Sequence, residues 1–227
     1  MGLIVIEGPD GSGKSTQIRK LHDFLSDRKY PCRLLHFPRT DSPVYGELIA
    51  RFLRGELGDM RQVNPYLVAL MYAGDRFDCK SDLEQWLRQD THILLDRYVY
   101  SNVAYQCAKL HDPRERQALR KWILHLEFDY YGLPKPDLNI YLNVPFAFTH
   151  RNLTGKRTGD GREYLWDKKD IHEADLNFQE QVRKVYEDLS DEKGFLKIEC
   201  GADGKMLSVE EIFELIVTGL KERNIKI

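Results

Sequence analysis

Five short runs of apolar residues recur along the chain, and a segment of helical pattern separates each run from the next. The runs cover residues 3–7, 33–37, 92–96, 138–144 and 195–200, and most of their positions are apolar. Such near-continuous strands are typical of parallel sheets that are covered on both faces. The pattern therefore predicts an α/β fold with a five-stranded parallel sheet flanked by helices on both faces.

Helix signals fill the segments between these runs. Apolar residues recur at helical spacing over residues 15–28. Asn64 is a good N-cap and Pro65 suits the first helical position, so we expect one long helix to run to residue 87. The capping box Ser208-Val-Glu-Glu211 begins a later helix. By contrast, residues 151–166 combine three glycines, few apolar residues and a basic excess, as in a surface loop or lid.

Composition and charge narrow the class of protein. Of the 227 residues, 42% are hydrophobic and 31% are charged, which indicates one globular domain over residues 1–227. A net charge of −2 argues against non-specific nucleic-acid binding. No basic leader precedes the first apolar run, the longest apolar run is short, and the four cysteines form no CxxC pair. We expect a soluble, cytoplasmic protein with no membrane or nucleic-acid partner.

The stretch after the first strand matches the phosphate-binding pattern G-x-x-x-x-G-K-[ST] in full, between a predicted strand and a predicted helix. Its backbone N–H groups and the helix N-terminus can surround phosphate oxygens. Lys14 adds a full positive charge and Ser15 offers a hydroxyl to Mg²⁺. We expect the phosphates of a nucleotide to contact Gly8, Pro9, Asp10, Gly11, Ser12, Gly13, Lys14, Ser15 and Thr16, although this loop alone does not separate kinases from GTPases or ATPases.

Asp96 and Arg97 follow the third predicted strand, at the carboxyl edge where ligands of open α/β sheets bind. Asp96 can hold Mg²⁺ through water, and Arg97 can clamp a phosphate. A strand-end salt bridge is the alternative for this pair. The chain has no NKxD motif, which argues against a GTPase.

Five motifs, in order and at matching spacing, resemble those of the thymidylate kinase family. They are EGPDGSGKS, FPR (37–39), ALMYAGDRF (69–77), LDRYVYSNVAYQ (95–106) and GLPKPD (132–137). The resemblance extends from the phosphate loop to about residue 186. It implies a P-loop kinase fold with a small mobile lid, ATP and Mg²⁺ as co-substrates, dTMP as the phosphoryl acceptor, and a homodimer.

The resemblance also implies roles for individual acceptor-site residues. Tyr72 stacks on thymine, Arg76 binds the O4 edge of the base and Arg39 holds the 5′-phosphate. Asp10 meets the deoxyribose 3′-hydroxyl and a Mg²⁺-bound water. The full dTMP set is Asp10, Phe37, Pro38, Arg39, Tyr72, Arg76, Arg97, Ser101, Asn102, Tyr105, Gln106 and Glu173. Without the resemblance, Phe37 and Tyr72 would be core aromatics and Arg76 a solvated charge; for Ser101 and Gln106, structural hydrogen bonding remains an equal alternative.

The phosphate loop has no basic residue before Lys14, and position 10 is an acid. In the resembling family, some members place the basic residue in this loop and others in the lid. The resemblance therefore implies that Arg157 acts from the lid, with Lys156 as the second candidate, while Arg151 stacks on adenine. Arg162 adds to the same basic segment. His172 stands where some family members have tyrosine, and we expect it to be a surface histidine.

These residues predict in-line transfer from ATP to dTMP, with catalytic residues Lys14, Arg97, Arg157 and Asp10 and metal contacts from Ser15, Asp96 and Asp10. No general base is needed, because the attacking phosphate is already an oxyanion. Two rivals remain: a kinase with another acceptor, either a different pyrimidine monophosphate or a deoxynucleoside, and a P-loop regulatory protein without transferase activity.

Overall fold

The predicted parallel sheet is present in the computed structural model, which describes residues 2–154, 163–166, 170–202 and 205–227. Its strands are β1 (Leu3–Glu7), β2 (Cys32–His36), β3 (His92–Asp96), β4 (Leu138–Asn143) and β5 (Phe195–Glu199). The spatial order is β2-β3-β1-β4-β5, and every neighbouring pair is parallel. Each strand end lies within one residue of its predicted position.

Helices connect the strands across both faces of the sheet. They are α1 (Lys14–Asp27), α2 (Tyr45–Leu53), α3 (Pro65–Asp78), α4 (Lys80–Arg88), α5 (Val99–Cys107), α6 (Pro113–Leu124), α7 (Phe146–Thr154), α8 (Leu176–Ser190) and α9 (Val209–Glu222). A π-helical segment, His125–Tyr130, extends α6, and a 3-10 turn covers Glu163–Leu165. A small antiparallel hairpin, β6 (Gly201–Ala202) with β7 (Lys205–Met206), was not predicted.

The alternation of side chains along β1 divides the apolar core in two. Leu3 and Val5 belong to a cluster that includes residues of α3, α5 and α8. Ile4 and Ile6 belong to a second cluster with α1 and α9. Both faces of the central strand are therefore buried, as the continuous apolar run predicts. The phosphate loop, which follows β1, is anchored on a strand held from both sides.

Helix starts were predicted better than helix continuity. The Asn64 side chain accepts a hydrogen bond from the N–H of Tyr66, and Ser208 forms the expected capping box with Glu211. The single long helix from Pro65 was wrong, because the structure divides it at Cys79 into α3 and α4. The N–H of Cys79 bonds to a carbonyl three residues earlier, which tightens the last turn of α3 and ends it.

The carboxyl ends of β1, β2 and β3 are adjacent in the sheet, so the segments that follow them meet at one edge. These segments are the phosphate loop, the FPR motif and the Asp96-Arg97 pair. Such an edge is where ligands of open α/β sheets bind. Among the described residues, no helix is both long enough and apolar enough to cross a membrane.

Candidate active site

A cavity of about 640 Å³ opens at this edge of the sheet, a volume typical of small-molecule sites. The predicted site residues that line it are Asp10, Gly11, Gly13, Lys14, Ser15, Thr16, Phe37, Pro38, Tyr72, Arg76, Asp96, Arg97, Ser101, Asn102, Tyr105, Gln106 and Glu173. Other predicted residues, Gly8, Pro9, Ser12, Arg39 and Arg151, are outside the lining. Lys156, Arg157 and Arg162 lie outside the described residues. Most of the predicted site is thus gathered around one cavity.

The phosphate loop has the backbone geometry of an anion site. Gly11 and Gly13 have φ angles of 76° and 86°, in the left-handed region that glycine adopts without strain. Gly13 precedes α1 and provides no side-chain cap, and nothing lies within 4 Å of where its Cβ would be. The N-terminus of α1 therefore faces open space with its positive dipole end. Lys14 folds back across the loop, and its Nζ donates to the carbonyl of Pro9 at 2.7 Å.

Ser15 and Asp96 form an oxygen pair at the start of α1. The Ser15 hydroxyl donates to Asp96 Oδ2 at 2.6 Å, while Asp96 Oδ1 is buried without a hydrogen-bond partner in the described structure. His36, which the sequence analysis missed, lies with its Nδ1 3.3 Å from Oδ2. Burial alone would raise the pKa of Asp96, but His36, Lys14 and other nearby positive charges hold it below its usual range. The carboxylate is therefore ionised and has an acceptor to spare.

The oxygens of this pair fit Mg²⁺. Hydroxyl and carboxylate oxygens are ligands that Mg²⁺ accepts, and the ion normally keeps waters and phosphate oxygens as its other ligands. The described residues contain no cluster of three histidine, cysteine or acidic side chains that would hold a metal alone. Ser15 and Asp96 would therefore hold a magnesium ion that arrives with its nucleotide.

Arg97 joins the phosphate loop to α5. Its guanidinium donates to the carbonyl of Gly8, to Ser101 Oγ, to Asp10 Oδ1 and to the Tyr105 hydroxyl. Its φ of 71° is unusual for a residue other than glycine and costs on the order of 1–3 kcal/mol. Four side-chain hydrogen bonds hold the guanidinium beside the phosphate loop.

Asp10, the acid in the phosphate loop, faces α5 and α8. Its carboxylate accepts from Arg97 Nη2 at 2.6 Å, from the Tyr105 hydroxyl at 2.7 Å and from Gln179 Nε2 at 2.8 Å. Burial raises the pKa of this carboxyl, but the charges of Arg97 and Lys14 outweigh the effect and lower it. An ionised side chain at this position is therefore compatible with a loop that holds polyanions.

Arg76 and Asn102 are held by one buried carboxylate. Arg76 donates to both oxygens of Glu127, at 2.5 and 2.8 Å, and Asn102 Nδ2 donates to Glu127 Oε1 at 2.9 Å. Asn102 Oδ1 is buried without a partner in the described structure, and so is Gln106 Oε1. Each buried acceptor without a partner costs about 1–3 kcal/mol, so these oxygens are suited to a ligand that supplies donors.

Comparison with known proteins decides the family. A family model described as Thymidylate kinase matches residues 6–212. The thymidylate kinase of Mycobacterium tuberculosis is 34% identical over 189 residues, which cover 83% of this chain and 85% of that protein. That of Dictyostelium discoideum is 30% identical over 82% of this chain and 72% of its own length. The chain belongs to the thymidylate kinase family.

The fold also matches that of a thymidylate kinase of known structure. The structure of thymidylate kinase from Candida albicans matches with a TM-score of 0.74 and 25% identity, over 99% of this chain and 92% of that chain. The fold is accordingly the P-loop kinase fold that the motifs predict. The chain is a kinase of nucleotide biosynthesis.

Three residues with expected roles in binding dTMP differ in where their side chains lie: Phe37, Arg39 and Tyr72. Phe37 is 1% exposed and belongs to the apolar core as well as to the cavity lining, and its contact with dTMP stays a prediction. Tyr72 also packs against that core and lines the cavity. Arg39 instead donates to the carboxylate and carbonyl of Asp75. The residues on either side of it, Pro38 and Thr40, do line the cavity.

His172 is a correction, since it is buried rather than on the surface. Its ring packs against Tyr105 and Phe178. Burial lowers the pKa of His172 to about 3, so its imidazole is neutral at neutral pH. Asp170, two residues earlier, accepts the backbone N–H of His172 at 2.8 Å, and burial raises its pKa to about 7.

The first residues of the predicted lid also differ from expectation. Residues 151–154 form the last turn of α7, and Arg151 lies exposed there with its guanidinium 5.9 Å from the ring of Phe148. Tyr164, in the 3-10 turn, donates to Asp170 at 2.9 Å and lines the cavity. The first four residues of the predicted lid are therefore helical, and residues 155–162 lie outside the described residues.

Several supporting residues were missed in the sequence. Three buried carboxylates hold the site arginines: Asp75 binds Arg39, Glu127 binds Arg76, and Glu7 receives the hydroxyl of Ser101, which in turn accepts from Arg97. Gln179 holds the backbone and carboxylate of Asp10. Glu7 and Asp75 lie within two of the recognised motifs, EGPDGSGKS and ALMYAGDRF, which is a signal that could have indicated them. Glu127 and Gln179 carry none, because only the fold brings them near.

Proposed function

We propose that this protein transfers the γ-phosphoryl group of ATP to dTMP, producing dTDP and ADP. An oxygen of the dTMP phosphate attacks the γ-phosphorus, and the bond to the ADP oxygen breaks in the same in-line displacement. No covalent enzyme intermediate is required. The family shows kinase chemistry; the choice of dTMP is supported above all by the arrangement of Arg76 and Asn102.

Arg76 and Asn102 share Oε1 of Glu127, so their side chains are held side by side. Glu127 accepts hydrogen bonds from Nε and Nη2 of Arg76, and Nη1 takes no part in these two bonds. The cavity thus has a guanidinium donor next to Asn102 Oδ1, an acceptor with no hydrogen-bond partner among the described residues. Thymine offers an O4 acceptor beside an N3–H donor, which complements that pair. Cytosine offers the opposite, a donor beside an acceptor.

The phosphate end of the cavity supports transfer rather than binding alone. Lys14 and Arg97 supply positive charge beside the phosphate loop. A phosphoryl group in transfer carries negative charge, which these two cations would stabilise. When bound, Mg²⁺ supplies further charge neutralisation of the phosphates. Ser15 and Asp96 would hold it, and Asp10 would meet the acceptor's 3′-hydroxyl.

The remaining positive charge is proposed to come from the lid. The described phosphate loop has no basic side chain before Lys14, so Arg157 is proposed to contact the transferring group, with Lys156 as the alternative. Arg151 is proposed to stack on adenine. Its position on the end of α7, the helix that adjoins Gly11 through Asn152, is compatible with a nucleotide contact.

A coupled assay of ADP release with a panel of monophosphates tests the proposal. We expect the highest kcat/KM with dTMP and a value lower by at least about 100-fold with CMP, because a mismatched polar edge leaves buried groups unpaired. Strong turnover of CMP or AMP without dTMP turnover would identify a kinase with another acceptor. Nucleotide binding without any turnover would identify a regulatory protein.

We further propose a homodimer formed through α3. Leu67, Leu70 and Phe77 are 61%, 40% and 45% exposed and lie along one face of this helix. A second copy of this chain would bury that face. Light scattering should give the dimer mass for wild type and the monomer mass for Leu70→Glu; a monomeric wild type would contradict the proposal. The cytoplasmic location stays a prediction.

A further inference from the structure

Glu7 is the last residue of β1 and comes directly before the phosphate loop, where its side chain is fully buried. Its Oε1 accepts the backbone N–H groups of Tyr98 and Ser101, at 3.0 and 3.2 Å. Its Oε2 accepts the hydroxyls of Ser101 and Tyr186. Four donors therefore converge on one carboxylate beneath the start of α5, two of them the N–H groups that begin this helix.

Ser101 connects this carboxylate to Arg97. Arg97 Nη1 donates to Ser101 Oγ at 3.2 Å, while the Ser101 hydroxyl donates to Glu7. An ionised carboxylate can only accept hydrogen bonds. The Ser101 hydroxyl donates to Glu7 while its oxygen accepts from Arg97, and the same oxygen lies 2.7 Å from the Tyr186 hydroxyl, so one hydroxyl links the carboxylate to the guanidinium. The direction of this hydrogen-bond chain depends on a charge that never touches the cavity.

We propose that Glu7 is a positioning residue that holds Arg97 in its phosphate-facing orientation through Ser101. The inference rests on the proposed role of Arg97 in phosphoryl transfer. Glu7 does two things at once: it anchors the first turn of α5 and sets the polarity of the Ser101 hydroxyl. The strained φ of Arg97, 71°, needs such support.

The carboxylate is retained at a cost in stability. Burial raises the pKa of Glu7, although Ser101, Arg97 and Tyr186 partly offset the effect. A neutral residue of the same shape would avoid the desolvation of a charge. If Glu7 served packing alone, its replacement by a neutral residue would stabilise the protein and leave activity unchanged. If Glu7 positions Arg97, the same replacement would lower activity.

Glu7→Gln separates these cases. Its amide oxygen can accept from the two N–H groups at the start of α5, but its NH₂ group donates to Ser101 Oγ and reverses the hydroxyl. We expect kcat to fall about 10- to 100-fold, because a small displacement of a catalytic group lowers the rate by about that factor. The KM for ATP should change less than about threefold. The thermal midpoint should stay equal or rise. An unchanged kcat would overturn the proposal.

Ser101→Ala and the double variant Glu7→Gln/Ser101→Ala complete a mutant cycle. If Glu7 acts through Ser101, the double variant should have the same kcat as Ser101→Ala within about threefold, because both changes break one chain. If the loss of kcat in the double variant equalled the product of the two single losses, the coupling would be wrong. Tyr141→Phe is the matched control: it removes a buried tyrosine hydroxyl that is stacked beside Tyr186 but bonds to Asn143. Its kcat should be unchanged.

An assay-independent measurement keeps this proposal distinct from the proposed function. The Arg97 guanidinium N–H signals, assigned by their loss in Arg97→Lys, should shift or broaden in Glu7→Gln without any nucleotide. If wild type fails to phosphorylate dTMP but this shift appears, the function is wrong and the positioning stands. Signals identical to wild type would overturn the positioning role, whatever the acceptor.

Discussion

Arg76 and Glu127, separated by 51 residues in sequence, form a buried ion pair with two hydrogen bonds, and Arg76 also lines the cavity. Their side chains are 2% and 0% exposed. Arg76 is part of α3, while Glu127 belongs to the π-helical segment after α6. The pair therefore ties a proposed base contact to an element outside the sequence motifs.

Replacement of Glu127 by alanine should be costly for both stability and acceptor recognition. It leaves the Arg76 charge buried without its partner, so we expect the free energy of unfolding to fall by about 3–5 kcal/mol. In folded protein, the KM for dTMP should rise more than the KM for ATP. Urea denaturation and steady-state kinetics measure the two effects.

Glu84→Ala is the control for this change, because Glu84 pairs at the surface with Lys80 and Arg88. An exposed pair contributes less than about 1 kcal/mol. Equal losses in the two variants would show that burial does not set the strength of the Arg76 pair.

Lys14→Ala should abolish most of the activity while the fold persists. The charge of Lys14 is proposed to act on the transferring phosphates, so kcat should fall by about 100-fold or more. The thermal midpoint should change little. Lys20→Ala, six residues later on α1 and paired with Glu210 on the surface, is the control and should keep wild-type turnover. A Lys14→Ala enzyme with normal kcat would remove Lys14 from the mechanism.

Asp10→Asn should impair the use of dTMP more than the binding of ATP. Asparagine keeps one acceptor oxygen but turns an NH₂ group toward donors such as the Tyr105 hydroxyl or Gln179 Nε2. We expect kcat/KM for dTMP to fall about 10- to 100-fold, as for the loss of charge-assisted hydrogen bonds, with the KM for ATP within about threefold. Asp23→Asn, exposed on α1, is the control. A selective rise in the KM for ATP would contradict this role.

Arg157→Ala should lower kcat more than it weakens nucleotide binding, because a charge that acts on the moving phosphoryl group matters mainly in the transition state. Lys156→Ala is the adjacent comparison and should have the smaller effect on kcat. If Arg157→Ala raised only the KM for ATP, Arg157 would be a binding residue and Lys156 the next candidate.

Asp170→Asn should make the protein more stable at pH 8 than wild type. The pKa of Asp170 is raised to about 7 by burial and by nearby Asp10 and Glu173, whereas an unfolded aspartate titrates near 4. Between these values the folded state holds a proton that the unfolded state has released, so wild-type stability falls as pH rises. Three pKa units set an upper limit of about 4 kcal/mol on the gain.

The measurement for Asp170→Asn is the difference in unfolding free energy from wild type at pH 4, 6 and 8. The lowered pKa of His172 acts in the opposite sense with pH, but it is present in both proteins and cancels in the difference. The advantage of the variant should grow with pH. Asp188→Asn, an exposed change on α8, should show no such growth. A constant difference would show that folding leaves the pKa of Asp170 unchanged.

The phosphate loop, the strands and the helix starts were determined by local sequence. Glycines at fixed spacing, continuous apolar runs and capping residues act over a few neighbours, so their signals survive in the sequence. The predictions of a continuous helix across Cys79 and of a surface position for His172 were wrong. The end of a helix and the burial of a side chain depend on the elements that pack against them.

Only the tertiary structure decided how the site is supported. Glu127 holds Arg76 across 51 positions, and Gln179 holds Asp10 across 169. No periodicity links such residues, since the sheet order that brings them together is set by the whole core. Local sequence indicated the side chains that are proposed to meet phosphate and base. Tertiary packing decided which buried carboxylates and amides hold them in place, because a buried charge must be paired wherever the fold provides a partner.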